Sequence, residues 1–377
     1  MKPSICFVAL NAYNVIADRG DLLHVGGAEV QIVTLARALA AMGYPVHFVT
    51  WDHGQPPQSS LNGFTMHRTC SPHDGLPVLR FLTPRWSSLR RALKEANADI
   101  YMQGCADSLT GQVSHWCRQH GRKFCYLVMH DWDCLPQLPK LKTRRERVLY
   151  RYGLRNADAV IAQTERQQEL LTQVRCAAPE LVRPASANGA HAGTVAFREQ
   201  NPRVLWLGRF TAIKRIEWLF GAAERLPHIS FDLVGSANKD DAYSRRIVQR
   251  AGELNNVTLC GAVPHDQVFD YYCRSSLLAL TSIDEGFPTV FMEAWSCGLP
   301  TVSTIDTDGL IARHGLGRIA RDVSELSSAI EEMCGSRAAW QAYSEAALRY
   351  FRNEHRPEAA AERLSAIIER LLSKIRA

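Results

Sequence analysis

The sequence predicts an α/β protein made of two doubly wound parallel sheets in tandem. Three observations predict it: short β-rich runs alternate with stretches of helical period, the alternation breaks down once near the middle and restarts, and the end of the chain is helical. At 377 residues the chain is too long for one small core, which favours two domains of ordinary size.

Each element has a local reason. SICFVAL (4–10) reads as a buried strand, followed by a long polar loop ending in Gly26-Gly27. From Ala28 to Met42, Val30, Val33, Ala36 and Leu39 recur at helical spacing, Gly43 stops the helix, and VHFVT (46–50) opens the next strand. ADIYMQG, KFCYLVM and DAVIAQT read as further buried strands separated by helices. Residues 176–202, rich in Ala, Gly, Pro and Asn without a period, read as an interdomain linker. RVLWLG, ISFDLVG, NVTLCG, LLALTS and PTVST then restart the alternation. From about residue 323 the chain reads as helical. Its last segment, Pro357 to Arg376, carries Ala361, Leu364, Ile367, Ile368, Leu371 and Leu372 at an amphipathic period. The expected domains are 1–185, joined by the final helix at about 355–377, and 200–354.

Composition narrows the function classes. The net charge of +6 suits an anionic ligand or an acidic surface but is too small to argue for nucleic acid, and no nucleic-acid partner is expected. The eleven cysteines form no C-x-x-C pair, their number is odd, and several fall in apolar runs, which fits reduced buried thiols better than a disulfide or zinc scaffold. The N-terminal stretch turns polar too soon for a signal peptide, and no run approaches the ~18 unbroken apolar residues of a membrane span. A cytoplasmic protein, or one peripheral to the inner face of a membrane, is expected.

In parallel α/β sheets, ligands sit outside the carboxyl ends of the strands, so the residues just after each strand carry the functional reading. After RVLWLG come Arg209 and Lys214, which either neutralise a diphosphate or are two solvated surface charges. Gly26-Gly27 precedes a helix and would let backbone approach a phosphate, though such a turn is common. His130 follows KFCYLVM and is either a proton-transfer or hydroxyl-contacting group or a structural hydrogen-bonder. DWD (131–133) and DTD (306–308) match an Asp-x-Asp pattern that can hold a divalent cation, but with Arg209 and Lys214 available to the phosphates no metal is expected.

The most specific stretch is DEGFPTVFMEAWSCGLP (284–300), which places Glu285 in a turn and Glu293 on a helix whose start favours anions. A sugar nucleotide reconciles those charges: amides and the Arg/Lys pair take the diphosphate, while the two carboxylates accept hydroxyls on either side of it.

GGAEVQIVTLARALAAMGYPVHFVT, VMHD, ADAVIAQTE, LGRFTAIK and DEGFPTVFMEAWSCGLPTVST, in this order and over nearly the whole chain, resemble the family-4 retaining glycosyltransferases of the GT-B fold. The resemblance implies two tandem Rossmann-like domains facing across a cleft, with the C-terminal helix crossing back to the N-terminal one. It implies that Arg209 and Lys214 bind the donor diphosphate and stabilise it as the glycosidic bond breaks. Glu285 would hold the hexose beside the amides of Gly286, Phe287, Thr289 and Val290, and Glu293 would hold the ribose. Gly27 would contact the phosphate, and His130 would face the transferred sugar. The donor would be a UDP- or GDP-linked hexose and the acceptor a glycan or a lipid-linked acceptor, with neither metal nor cofactor.

The chain departs from the family pattern in places. Arg215 stands where Gly is usual after Lys214, Pro288 stands where a second Gly is frequent, IDTDGLIARHGLG replaces a Gly-Gly and a later acid, and Asn188-Gly189 lacks a following Asp. Two rivals remain: a sugar-nucleotide epimerase of the same architecture, and a non-catalytic sugar-nucleotide-binding protein. A nicotinamide enzyme is disfavoured because no G-x-G-x-x-G follows the first strand. Finally, Lys140–Arg155 holds seven basic residues and one acid, Glu146, and Arg80, Arg85, Arg90, Arg91 and Lys94 form a second basic stretch with Trp86. These are either solvated helix faces or a surface for anionic lipid.

Overall fold

The computed structural model describes residues 2–18, 26–76, 79–174, 176–186, 195–238 and 240–376. The chain divides into two compact units, residues 1–185 with 357–377 and residues 186–356.

The first unit is an eight-stranded sheet. Its strands are β1 (Ile5–Val8), β2 (Val46–Thr50), β3 (Gln58–Leu61), β4 (Phe64–Arg68), β5 (Ile100–Gly104), β6 (Lys123–Leu127), β7 (Ala159–Ala162) and β8 (Pro179–Leu181). Their order is β3-β4-β2-β1-β5-β6-β7-β8, parallel except for the β3/β4 hairpin at one edge. The central strands are buried on both faces because apolar clusters cover both. One face receives the helix Gly27–Ala41 and the final helix Pro357–Arg376, whose Ala361, Leu364, Ile367 and Ile368 are buried there and whose Ser365 meets Tyr44 at 2.6 Å. The other receives the helices Ser87–Ala96, Ser108–Gln119 and Arg144–Arg155. The last two of these touch backbone to backbone. A Cβ on Gly111 would lie 2.3 Å from the Leu149 carbonyl oxygen, and one on Gly153 2.5 Å from that of Thr110.

The sequence reading of 176–202 as linker needs a correction. Residues 179–181 pair with β7 and so belong to the first sheet, a three-residue strand too short to show a period. Asn188-Gly189 lie outside the described residues.

The second unit is a six-stranded parallel sheet of β9 (Arg203–Leu207), β10 (Ser230–Val234), β11 (Val257–Gly261), β12 (Leu277–Leu280), β13 (Thr301–Ser303) and β14 (Gly317–Ile319), ordered β11-β10-β9-β12-β13-β14. Read from the first strand of the unit, that is the 3-2-1-4-5-6 order of a doubly wound nucleotide fold, with its switch point between β9 and β12. The carboxyl ends of β9 and β10 close tightly, since a Cβ on Gly235 would lie 1.8 Å from the Gly208 carbonyl oxygen. Among the described residues, no helix is long and apolar enough to cross a membrane.

Candidate active site

The switch point of the second sheet gathers most of the residues singled out above. Lys214 follows β9 on a single helical turn, Ala212–Lys214, and Glu285 follows β12. Lys214 Nζ donates to Glu285 Oε1, forming an ion pair in which each side chain is 19% exposed. Ser282 Oγ donates to the same oxygen at 2.7 Å. The other carboxylate oxygen of Glu285 has no partner among the described residues. An ammonium group has three donors, so Lys214 can hold Glu285 and still offer protons to a further anion.

The two loops that carry this pair are bound to each other through backbone. Ile283 N donates to Ile213 O at 2.8 Å, Thr281 Oγ1 to Lys214 O at 2.6 Å, and Trp206 Nε1 to Thr281 Oγ1 at 3.1 Å. Arg215 completes the tie, its guanidinium donating to the carbonyls of Thr281 at 3.1 Å and Ser282 at 3.3 Å. Its backbone is left-handed, φ 44° and ψ 51°, the conformation that favours glycine. The departure from the family's Gly therefore has a structural sense: the arginine keeps the glycine's backbone while its side chain anchors the facing loop. Arg209 is exposed and makes no ion pair among the described residues.

The helix Thr289–Ser296 begins at Pro288, which is buried, with φ −65° and ψ 114°. The first amides of a helix have no intrahelical acceptor, and those of Gly286, Phe287, Thr289 and Val290 have none elsewhere among the described residues. Pro288 has no N–H and subtracts one donor from this row. Glu293 is a full turn into that helix and only 8% exposed, with Tyr272 donating to its Oε2 at 2.7 Å. Burial, with Glu293 second, raises the Tyr272 hydroxyl well above its ordinary range and keeps it a donor. The two glutamates thus end in different surroundings, Glu285 beside a cation and Glu293 against a phenol.

In the first unit, Gly27 opens the helix Gly27–Ala41 after an extended Gly26. The Glu29 carboxylate lies over Gly26, where a Cβ would fall 2.4 Å from its Oε2, and Asn11 reaches its other oxygen at 3.5 Å. This helix start therefore already has an acid beside it. His130 caps the turn Asp131–Cys134, its Nδ1 accepting from Trp132 N at 3.2 Å and its ring stacked on Trp132 at 4.0 Å. With Nδ1 accepting, a neutral ring carries its proton on Nε2, which has no partner among the described residues.

The Asp-x-Asp carboxylates have protein partners. Asp131 meets Arg166 at 3.2 Å and Gln167 at 3.1 Å; Asp133 is buried and accepts from Tyr126 and Met129 N, each at 3.3 Å, burial raising its pKa. Asp306 accepts from the amides of Ile311 and Ala312.

Sequence reasoning missed Ser282, Thr281 and Tyr272. Ser282 had a signal, since Ser-x-x-Glu spacing lets a hydroxyl and a carboxylate three residues apart meet. Thr281 and Tyr272 had none, because their partners are 67 and 21 residues away.

Two doubly wound units, one with a Lys–Glu pair at its switch point, define a nucleotide-binding protein of the GT-B architecture. Residues 26–186 match the family model for glycosyl transferase 4-like domains, and residues 201–336 match that for glycosyl transferases group 1. The chain belongs to the group 1 glycosyltransferases, whose donors are nucleotide sugars. Among curated relatives, a D-inositol 3-phosphate glycosyltransferase of Kribbella flavida is 25% identical over 357 residues, covering 80% of this chain and 82% of that protein. The O-antigen biosynthesis glycosyltransferase WbnH of Escherichia coli is 24% identical over 233 residues, 60% of this chain and 65% of that one. Among solved structures, sucrose-phosphate synthase from Thermosynechococcus elongatus superposes with a TM-score of 0.80 at 20% identity, covering 99% of this chain and 100% of that one. HepE of Anabaena, solved with UDP and glucose, gives 0.75 at 16% identity, with 98% and 100% covered.

Proposed function

We propose that this glycosyltransferase is a family-4, retaining, metal-independent hexosyltransferase that moves a hexose from a UDP- or GDP-linked donor to a glycan or lipid-linked acceptor. The observation that carries the reading is the Lys214–Glu285 pair at the switch point of the second sheet. Lys214, joined by the open cation Arg209, would take the donor diphosphate, while the uncommitted oxygen of Glu285 would accept a hexose hydroxyl. The amides of Gly286, Phe287, Thr289 and Val290 lie in the same turn as Glu285 and would add neutral donors. Glu293, held by Tyr272, would receive the ribose, Gly27 would approach the phosphate, and the Nε2 proton of His130 would face the transferred sugar.

Charge builds on the leaving diphosphate as the glycosidic bond breaks, so cations fixed in advance lower the barrier most. The acceptor proton would go to the leaving phosphate oxygen on the same face of the sugar, giving retention. The relatives act on an inositol phosphate and in O-antigen synthesis by their names, which favours a glycan or lipid-linked acceptor here. The basic first unit would bring it to an anionic membrane surface.

A thermal-shift panel of nucleoside diphosphates and nucleotide sugars tests the donor site. A ligand at 100 times its dissociation constant adds about 2.7 kcal/mol of stability, and no shift with any of them overturns the reading. Incubating the shifting nucleotide sugar without acceptor separates the rival epimerase, which alone would convert it. Activity retained in EDTA and an α-configured product from an α-linked donor would support metal independence and retention; the opposite results would remove them.

A further inference from the structure

One segment of the proposed donor site is held by side chains alone. The backbone of Glu285, Gly286 and Phe287 makes no hydrogen bond among the described residues, neither through its amides nor through its carbonyls. The chain is fixed on either side of it, by Ile283 N donating to Ile213 O at 2.8 Å and by Phe291 N donating to Pro288 O at 3.1 Å. Backbone without hydrogen bonds is the part of a site most free to move. Gly286 has no side chain, so Glu285 and Phe287 are the anchors of this turn.

Glu285 is tied to Lys214 and Ser282. Phe287 is only 6% exposed, and its ring is packed on two others. Trp295 lies 6.5 Å away between ring centres with the planes at 85°, and His355 lies 5.0 Å away with the planes at 50°. Edge-on and tilted rings at such separations attract one another with a preferred geometry, so they fix orientation as well as depth. Trp295 is on the helix that the turn leads into and is pinned by its Nε1 donating to Thr301 Oγ1 at 3.0 Å. His355 comes from a distant part of the chain.

His355 is built as a fixed support. It follows the helix Arg337–Glu354, its N donating to Phe351 O at 2.9 Å and its O accepting from Ser186 N at 3.1 Å. Its side chain is fully buried, with the rings of Tyr350 at 5.4 Å and Trp295 at 5.9 Å around it. Ser186 is the first residue of the second unit, and His355 stands next to its last, Arg356. The support under the turn is therefore made where this unit begins and ends.

The geometry points to His355 as a positioning residue for the hexose end of the donor site, acting through the ring of Phe287. This rests on the donor reading proposed above, in which the amides of Gly286 and Phe287 and the open oxygen of Glu285 meet the hexose. Lys214, which takes the diphosphate in that reading, is placed instead by Glu285 Oε1, and its backbone by Thr281 Oγ1. A shift of the turn at Phe287 therefore weakens the contacts of the sugar before those of the phosphates, since hydrogen bonds tolerate only small changes of distance and angle.

The test is isothermal titration of the full chain with UDP-glucose or GDP-mannose, whichever stabilises the wild type more, and with the matching nucleoside diphosphate. The readout is the ratio of the two dissociation constants, which a loss of folding stability alone does not move. His355→Ala is expected to keep the diphosphate's affinity within about threefold and to weaken the nucleotide sugar roughly tenfold, the worth of one or two hydrogen bonds. His355→Phe, which keeps a flat ring under Phe287, is expected to restore the ratio. Phe287→Leu is expected to shift the ratio as His355→Ala does, and the double variant to shift it little further, because both act on one contact. If His355→Ala does not fold, His355→Leu takes its place with the same expectation. An unchanged ratio, an equal loss for both ligands, no rescue by His355→Phe, or additive shifts with Phe287→Leu overturns the positioning role and leaves the donor reading standing. A wild type that binds none of the four ligands overturns the donor reading and this inference with it.

Discussion

The carboxyl ends of the two sheets make different use of polar side chains. In the second unit Lys214, Glu285, Ser282, Thr281 and Arg215 are joined to one another and to backbone, so that the two loops at the switch point form one hydrogen-bonded piece. In the first unit the corresponding residues stand apart, His130 stacked on Trp132 with its Nε2 unpartnered among the described residues, and Glu29 over Gly26 with Asn11 at its other oxygen. A cation and a carboxylate placed in advance need little reorganisation when charge develops beside them, which is the condition for electrostatic catalysis. On the proposed function, the first unit would offer a surface on which an acceptor can be exchanged, and the second a fixed donor seat.

The sharpest way to break that contrast is to substitute one residue on each side. Lys214→Ala should raise the barrier by about 3–4 kcal/mol, roughly 10²–10³ in kcat/KM, and weaken the nucleoside-diphosphate thermal shift. His130→Ala should lower kcat while leaving that shift intact. Equal loss of the shift in both would mean that the donor seat is shared, contrary to the comparison.

Tyr272→Phe tests how firmly the second unit's site is built. It should cost about 1–3 kcal/mol in urea unfolding, because it leaves the buried Glu293 short of a donor. A neutral result would show that Glu293 relaxes toward other groups.

The first unit has its own polar weakness. His47 Nδ1 lies 3.1 Å from His67 Nε2, and burial, with His47 beside it, pushes the fully buried His67 down to about 4 from its ordinary 6.5. Between those values the unfolded chain binds the proton and the folded chain does not. Stability is therefore full above pH 6.5 and falls as pH drops toward 4, by roughly 1–2 kcal/mol at pH 5.5. Melting curves across this range should show the fall, and His67→Gln should flatten it. An unchanged slope in the variant would assign the acid sensitivity elsewhere.

The smallest expected effect separates backbone from side chain at Arg215. Arg215→Gly and Arg215→Ala both lose the bonds to Thr281 and Ser282, but only alanine keeps the left-handed strain. Glycine should therefore be the more stable of the two by about 1 kcal/mol. If the alanine variant is equally stable, the turn has relaxed, and the loop tie is weaker than the geometry implies.

Much of the fold was legible because its signals are local. Helical period in residues 28–42 and 357–376, buried β-rich runs and their alternation need only neighbouring residues to be read. The short strand 179–181 was not legible, since three residues show no period and only pairing with β7 defines them. In the site, Glu285 and Lys214 could be picked out by their places after strands. Their contact could not, because it depends on β9 and β12 being neighbours although 69 residues separate Leu207 from Leu277 in sequence, as their pairing register shows.

By itself, then, the sequence determined the doubly wound class, the family and the residue types proposed to meet a nucleotide sugar, all properties of local pattern and strand-end position. Tertiary structure alone decided which charges meet. It put Lys214 on Glu285 and Tyr272 against Glu293, and gave Arg215 a glycine's backbone with an arginine's reach. Hydrogen bonds and ion pairs act over a few ångströms, and the distances that matter at this site are set by strand order and helix packing, which no single stretch of the chain encodes.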